Sequence, residues 1–153
     1  MDSLSIGWRE WVALPDLGIP AIKTKVDTGA KTSTLHAQQI EVFQINKQDF
    51  LRFNLQPIRR YPKLIIHCQA LIFDQRFITD SGGRRELRYV IQTLISIADR
   101  TWPLEITLTN RNSMQFRMLL GRSALQQGGL IVHPQNSYVC GKKSIKKYYS
   151  LPQ

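Results

Sequence analysis

The chain has 153 residues, of which 42 % are apolar and 21 % charged, the balance of a globular protein able to bury a core without a disulfide or metal staple. Twenty-one Lys and Arg against eleven Asp and Glu give a net charge of +10, which favours an acidic partner: nucleic acid, an anionic surface or an acidic peptide. The longest mostly apolar stretch, Leu64–Phe73, is interrupted by His67, Cys68 and Gln69 and is too short to span a bilayer. The first eight residues carry no basic region followed by an apolar core, so a cytoplasmic protein is expected, with Cys68 and Cys140 as structural thiols.

In chain order the pattern is mostly strand. Trp8–Leu14 is rich in residues that suit a pleated surface, and Pro15–Gly18 is a turn. Ile19–Val26 alternates apolar with basic residues near its end. Ile40–Ile45 and Phe50–Leu55 are strands joined by Asn46–Asp49, and Gln56–Lys63, with two prolines, is a connection. Leu64–Thr79 and Glu86–Ile97 read as long strands around Asp80-Ser81-Gly82-Gly83-Arg84-Arg85, a loop with paired glycines suited to a hairpin. Trp102–Thr109 and Met114–Leu120 are further strands. Ser123–Gln127 is the best helix, ended by Gly128-Gly129. Leu130–Val132 and Ser137–Cys140 close a single domain over residues 1–153. From about residue 141 the basic run Lys142–Lys147 is expected to be an exposed tail.

Two short motifs carry the chemistry. An apolar strand runs into Val26-Asp27-Thr28-Gly29-Ala30, and Gly121 follows Asp27 by 94 positions within Leu119-Leu120-Gly121-Arg122. Asp-Thr-Gly alone is only a turn signal. The two motifs in this order, with a Gly-bearing hairpin between them, resemble the retropepsin-like aspartic proteases. The closer resemblance is to a bacterial family of retropepsin-like endopeptidases once labelled a putative ATP-dependent zinc protease. It rests on Val26–Ser33 (Val-Asp-Thr-Gly-Ala-Lys-Thr-Ser), on Ser81-Gly82-Gly83 and on Leu108-Thr109-Asn110-Arg111.

That resemblance implies an all-β, acid-protease closed barrel with one short helix, acting as a homodimer. Aspartic proteolysis needs two adjacent carboxylates that share one proton, and this chain has one such Asp, so the site needs two copies of Asp27 across a two-fold axis. Thr28, Gly29, Ala30 and Ser33 would support the catalytic loop, with the Ser33 hydroxyl on the outer oxygen of Asp27 and Thr28 bonding across the axis. Leu119, Leu120, Gly121 and Arg122 would pack beneath it. Asp80, Ser81, Gly82 and Gly83 would form the flap over the cleft. Retroviral members carry an acid where this chain has Lys31, which leaves Arg122 to find another partner.

Lys31, Arg84, Arg85 and Arg88 are the candidate substrate-binding residues, with Arg76 at the flap base and Lys23 and Lys25 beside the loop; they favour an acidic peptide. Bacterial genes of this family often accompany ATP-grasp ligases that attach glutamates, so a poly-acidic or isopeptide-like substrate and a link to such a ligase are expected. Other readings stay open: a catalytically silent peptide-binding dimer on the same fold, or a basic nucleic-acid-binding β-barrel. The latter has no helix-turn-helix, zinc knuckle or RNP-like aromatic pattern behind it. His36, His67 and His133 are isolated, so no metal site is expected, and without a Gly-x-x-x-x-Gly-Lys loop no nucleotide cofactor is implied.

Overall fold

The computed structural model describes residues 2–152. Its strands are β1 (Leu4–Gly7), β2 (Arg9–Leu14), β3 (Ile19–Asp27), β4 (Ser33–His36), β5 (Gln38–Ile45), β6 (Gln48–Leu55), β7 (Ile66–Leu71), β8 (Asp74–Thr79), β9 (Arg85–Ile97), β10 (Arg100–Thr109), β11 (Met118–Gly121) and β12 (Leu130–His133). The helices are α1 (Arg122–Gln127) and α2 (Ile145–Tyr148). None is long and apolar enough to cross a membrane.

Six strands close on themselves in the order β10-β4-β11-β3-β2-β9, with β9 returning to β10. The expected all-β ring is therefore present, closed between β2 and β9 by the single pair Ala13↔Ser96. Inside it Leu35, Ile91, Ile106 and Leu120 are completely buried. Removing such a side chain from water contributes about 1.5–3 kcal/mol. β9 is long enough for two tasks: Val90–Ile97 pairs with β10, while Arg85–Val90 projects with β8 as a hairpin. β5, β6 and β7 form a separate antiparallel sheet. On β6, Leu51, Phe53 and Leu55 are buried and Arg52 faces water, the period-2 alternation of a strand with one wet face. The buried residues join the main core.

Several expected boundaries move. The long strand Leu64–Thr79 is two strands, because the amide of Ile72 bonds Asp49 while that of Phe73 bonds Val90, so the chain passes from one sheet to the other. Met114–Gln115-Phe116-Arg117 precedes β11 and is not strand, and Ser137–Cys140 ends in a turn. β1 and β4 were not legible. β1 is held by parallel pairing to β12 and β4 by β10 and β11, contacts made far along the chain. Lys142, Lys146 and Lys147 of the basic run are exposed, while the apolar residues beside them dock. Helix α2 leads to Tyr149, whose hydroxyl donates to the Ala21 carbonyl at 2.5 Å and accepts from the Ala21 amide. Tyr149, Trp11, Ala21, Ile58 and Leu64 make a second small core on this side, and burial pushes the Tyr149 phenol up to about 12.

Candidate active site

Asp27 is the last residue of β3 and lies in register with Gly121 of β11, a parallel neighbour. The loop after it turns tightly. The Gly29 amide donates to the Asp27 carboxylate at 3.1 Å, and the Ala30 amide to the Asp27 carbonyl at 3.2 Å. A Cβ on Gly29 would sit 3.3 Å from that same carboxylate oxygen, so glycine gives the backbone its close approach.

The loop is fixed from below by β11 and α1. The Arg122 and Ser123 amides donate to the Ala30 and Lys31 carbonyls at 2.7 and 3.0 Å, which satisfies donors that the first turn of α1 would leave open. The Arg122 guanidinium donates to the Thr28 carbonyl at 2.7 Å, so with Lys31 in place of an acid its partner is backbone. Ser33 is buried and its hydroxyl accepts from the Gly121 amide at 2.9 Å; it acts on the floor of the loop, and the recorded bond is not to Asp27. A Cβ on Gly121 would come within 2.7–2.9 Å of Thr32 and Ser33 backbone atoms, so β11 and the loop meet only because this residue is glycine.

The β8–β9 hairpin stands across a cleft of about 740 Å³ from this loop, with Phe77, Ile78, Thr79, Asp80 and Ser81 on its flap wall. Asp80 organises the flap turn. One carboxylate oxygen accepts from the Gly82 and Arg84 amides at 3.0 and 2.9 Å, and the other meets the Arg111 guanidinium at 2.5 Å. Arg111 holds the Asp80 carboxyl below its ordinary value of 3.8. Gly83 has φ +82°, the left-handed geometry that glycine adopts freely.

The four candidate substrate-binding residues separate. Lys31 is exposed and Arg88 buried, and both line the cleft. Arg88 pairs with Glu86 at 3.1 Å, and its far nitrogen lies 3.4 and 3.5 Å from the Thr34 and Thr107 hydroxyls. Arg84 and Arg85 are exposed and outside the cleft lining; Arg85 lies over the Phe77 ring at 4.0 Å. Arg76 is occupied by Asp74 and Glu105 at 2.7 and 2.6 Å.

Sequence reasoning missed His36. It is buried on β4, and its Nδ1 accepts from the Arg111 amide at 3.0 Å, behind the flap clamp. Burial, and next the charge of Arg117, lower its pKa. It also missed Glu10, fully buried, whose carboxylate accepts the Gly7, Val139 and Cys140 amides. A carboxylate within a strand of Trp and Val gave no signal of that role. Among the described residues no group of three or more His, Cys, Asp or Glu is placed to hold a metal.

A six-stranded ring with an Asp-Thr-Gly loop at the end of one strand, a glycine-bearing strand beneath it and a hairpin across the cleft defines a retropepsin-like protein. The chain belongs to the RimB-like family, described as retropepsin-like aspartic endopeptidase RimB, which matches residues 5–143. It is 45 % identical over 138 residues to a probable alpha-L-glutamate ligase of Shewanella pealeana, covering 90 % of this chain and 30 % of that protein. A protein of the same name from Desulfotalea psychrophila is 42 % identical over 148 residues, covering 95 % of this chain and 32 % of its own. The chain thus spans about a third of the length of the curated relatives it matches. Among solved structures, a Legionella pneumophila protein of unknown function is similar with a TM-score of 0.76 and 25 % identity, over 89 % of this chain and 97 % of that one.

Proposed function

We propose that this protein is a homodimeric aspartic endopeptidase that cleaves acidic peptides. The observation that carries the reading is the carboxylate inventory of the cleft. Among the described residues two acids line it, Asp27 and Asp80, and Asp80 is held by Arg111. Asp27 therefore has no partner carboxylate within its own chain's cleft, and a second copy of the same loop supplies one.

In such a pair, one Asp27 is ionised and the other protonated. The ionised carboxylate takes a proton from water as its oxygen attacks the peptide carbonyl carbon. The protonated one gives its proton to the carbonyl oxygen. Collapse of the resulting diol returns a proton to the amide nitrogen and breaks the C–N bond. The titration belongs to the pair. Gly29 and Thr28 shape the loop, with Thr28 bonding across the two-fold axis, and the flap excludes water when it closes.

Charge favours an acidic substrate of the glutamate-rich or isopeptide-linked kind, and the ligase name carried by longer relatives supports a functional link to a glutamate-adding ligase of the ATP-grasp kind. Sedimentation equilibrium on the wild type and Asp27→Asn, followed by cleavage assays on glutamate-rich peptides, tests the reading. A dimer in both proteins, with cleavage by the wild type alone, is expected. A wild type that stays monomeric at high concentration, with and without peptide, overturns it. A dimer that binds peptide without turnover leaves the silent binding role on the same fold.

A further inference from the structure

On the far side of the segment that walls the Asp27 cleft lies a second basin of about 500 Å³. Met114 and Leu119 line the cleft, whereas Gln115, Phe116 and Arg117 line the basin. β3 also connects the two: Lys23 lines the basin and Asp27 the cleft, four residues or about 13 Å apart along an extended strand.

The basin is cationic without compensation. Arg9, Lys23, Arg59, Arg60 and Arg117 line it, and among the described residues no Asp or Glu does so. None of the five makes a salt bridge among the described residues. Aromatic rings supply the walls: Lys23 lies over Trp11 at 5.3 Å, and Arg9 over Tyr138 at 5.0 Å.

Arg117 is the decisive residue. It is 5 % exposed. Among the described residues its guanidinium makes one hydrogen bond, a 3.2 Å donation to the Asn112 carbonyl, and its Nε has no partner. A buried guanidinium with an open donor is costly unless an anion completes it. Burial and the neighbouring charge of Arg59 both press its pKa down. An arriving carboxylate relieves both effects, because a guanidinium presents a planar fork of donors matched to two oxygens.

We propose that this basin is a second anion-binding site, which takes side-chain carboxylates of an acidic peptide whose scissile bond lies in the Asp27 cleft. It deepens the acidic-peptide reading above and rests on it for the identity of the ligand. A basin about 13 Å along β3 from the cleft lets acidic residues beyond the bond hold the chain in place, so length and charge of the acidic run both matter.

The test is binding of fluorescein-labelled hexaglutamate to the full chain carrying Asp27→Asn, read by anisotropy at low salt. Arg59→Glu/Arg60→Glu is compared with Lys47→Glu/Arg52→Glu, which changes net charge equally at exposed positions outside the basin. About tenfold weaker binding is expected for the first pair and less than twofold for the second. Arg117→Gln, checked for folding by circular dichroism, is expected to weaken binding as the first pair does. Equal weakening by the two pairs, or none by either, overturns the site. Displacement of the label by tripolyphosphate at far lower concentration than by unlabelled hexaglutamate overturns the peptide assignment in favour of phosphate. Binding is read without turnover, so a protein that never cleaves still answers the question. Cleavage that persists while binding ignores Arg59 and Arg60 removes this site and leaves the protease reading intact.

Discussion

The Asp80 carboxylate and the Arg111 guanidinium meet at 2.5 Å, and this contact ties the flap turn to the segment that follows β10. The same carboxylate accepts two amides of the turn, so one side chain both shapes the flap and anchors it.

Arg111→Ala is expected to free the flap while the ring stays folded. Limited proteolysis between Ser81 and Arg85 should become several-fold faster, and on the proposed endopeptidase reading peptide cleavage should fall by about tenfold, because a closed flap would order the substrate and exclude water. Asp80→Asn loses the charge, weakens the turn bonds and turns an amide donor toward Arg111, so its effect should be at least as large. Arg111 lowers the Asp80 pKa, so the ion pair is present above 3.8 and is lost as pH falls through the lowered value. The wild-type flap should therefore remain protected at pH 3.8 and open only as the pH falls through the lowered value. Equal proteolysis of wild type and Arg111→Ala refutes the clamp.

Beneath the loop, Gly121→Ala drives a methyl into Thr32 and Ser33 backbone, atoms that cannot rotate away. Overpacking of this kind costs about 1–3 kcal/mol. Ser33→Ala leaves the buried Gly121 amide without its acceptor, at a cost of about 1–3 kcal/mol. Urea unfolding should show both losses. The two residues share one contact, so the double variant should lose less than the sum.

The strands that alternate, β3, β6 and β9, were legible because one face is buried and the other wet, and that period is written locally. The Asp27 loop, the glycine beneath it and the hairpin turn were legible through the resemblance of their short motifs to the retropepsin-like family. β4 was not, because Ser33 and Thr34 are polar residues buried by neighbours more than fifty positions away, on β9 and β10. The Ser33 bond to Gly121 spans 88 positions, and no local pattern distinguishes that from a bond to Asp27. The docking of the residues around the basic run was hidden for the same reason: four lysines mask Ile145 and Tyr149, which dock on β3 and its neighbours. Long-range partners decide these places, and one sequence does not display them.

His36 should make stability pH-dependent. Its pKa is lowered from 6.5 by burial first and the Arg117 charge next, and its Nδ1 must stay unprotonated to accept the Arg111 amide. The unfolded chain then binds more protons than the folded one between the lowered value and 6.5. Stability rises with pH across that window, is complete above 6.5, and falls on acidification by up to about 1.4 kcal/mol per pH unit. Asn at this position keeps an acceptor without titrating. Urea midpoints measured across the window should therefore slope less for His36→Asn, and an unchanged slope assigns the pH dependence elsewhere.

The net charge of +10 and the Lys31 and Arg88 side chains in the cleft make one kinetic demand. Two peptides of equal length around one scissile bond, one flanked by glutamates and the other by glutamines, should differ in kcat/KM at low salt, with the acidic peptide faster. Attraction between exposed charges is screened over about 10 Å at 0.1 M ionic strength, so the advantage should shrink as salt is added. The neutral peptide should respond weakly. If the acidic advantage is instead absent, or persists undiminished in high salt, charge steering is not what selects the substrate. Selection would then have to reside in the shape of the cleft, on the apolar flap wall formed by Phe77 and Ile78, where valine or leucine side chains beside the bond would set the rate.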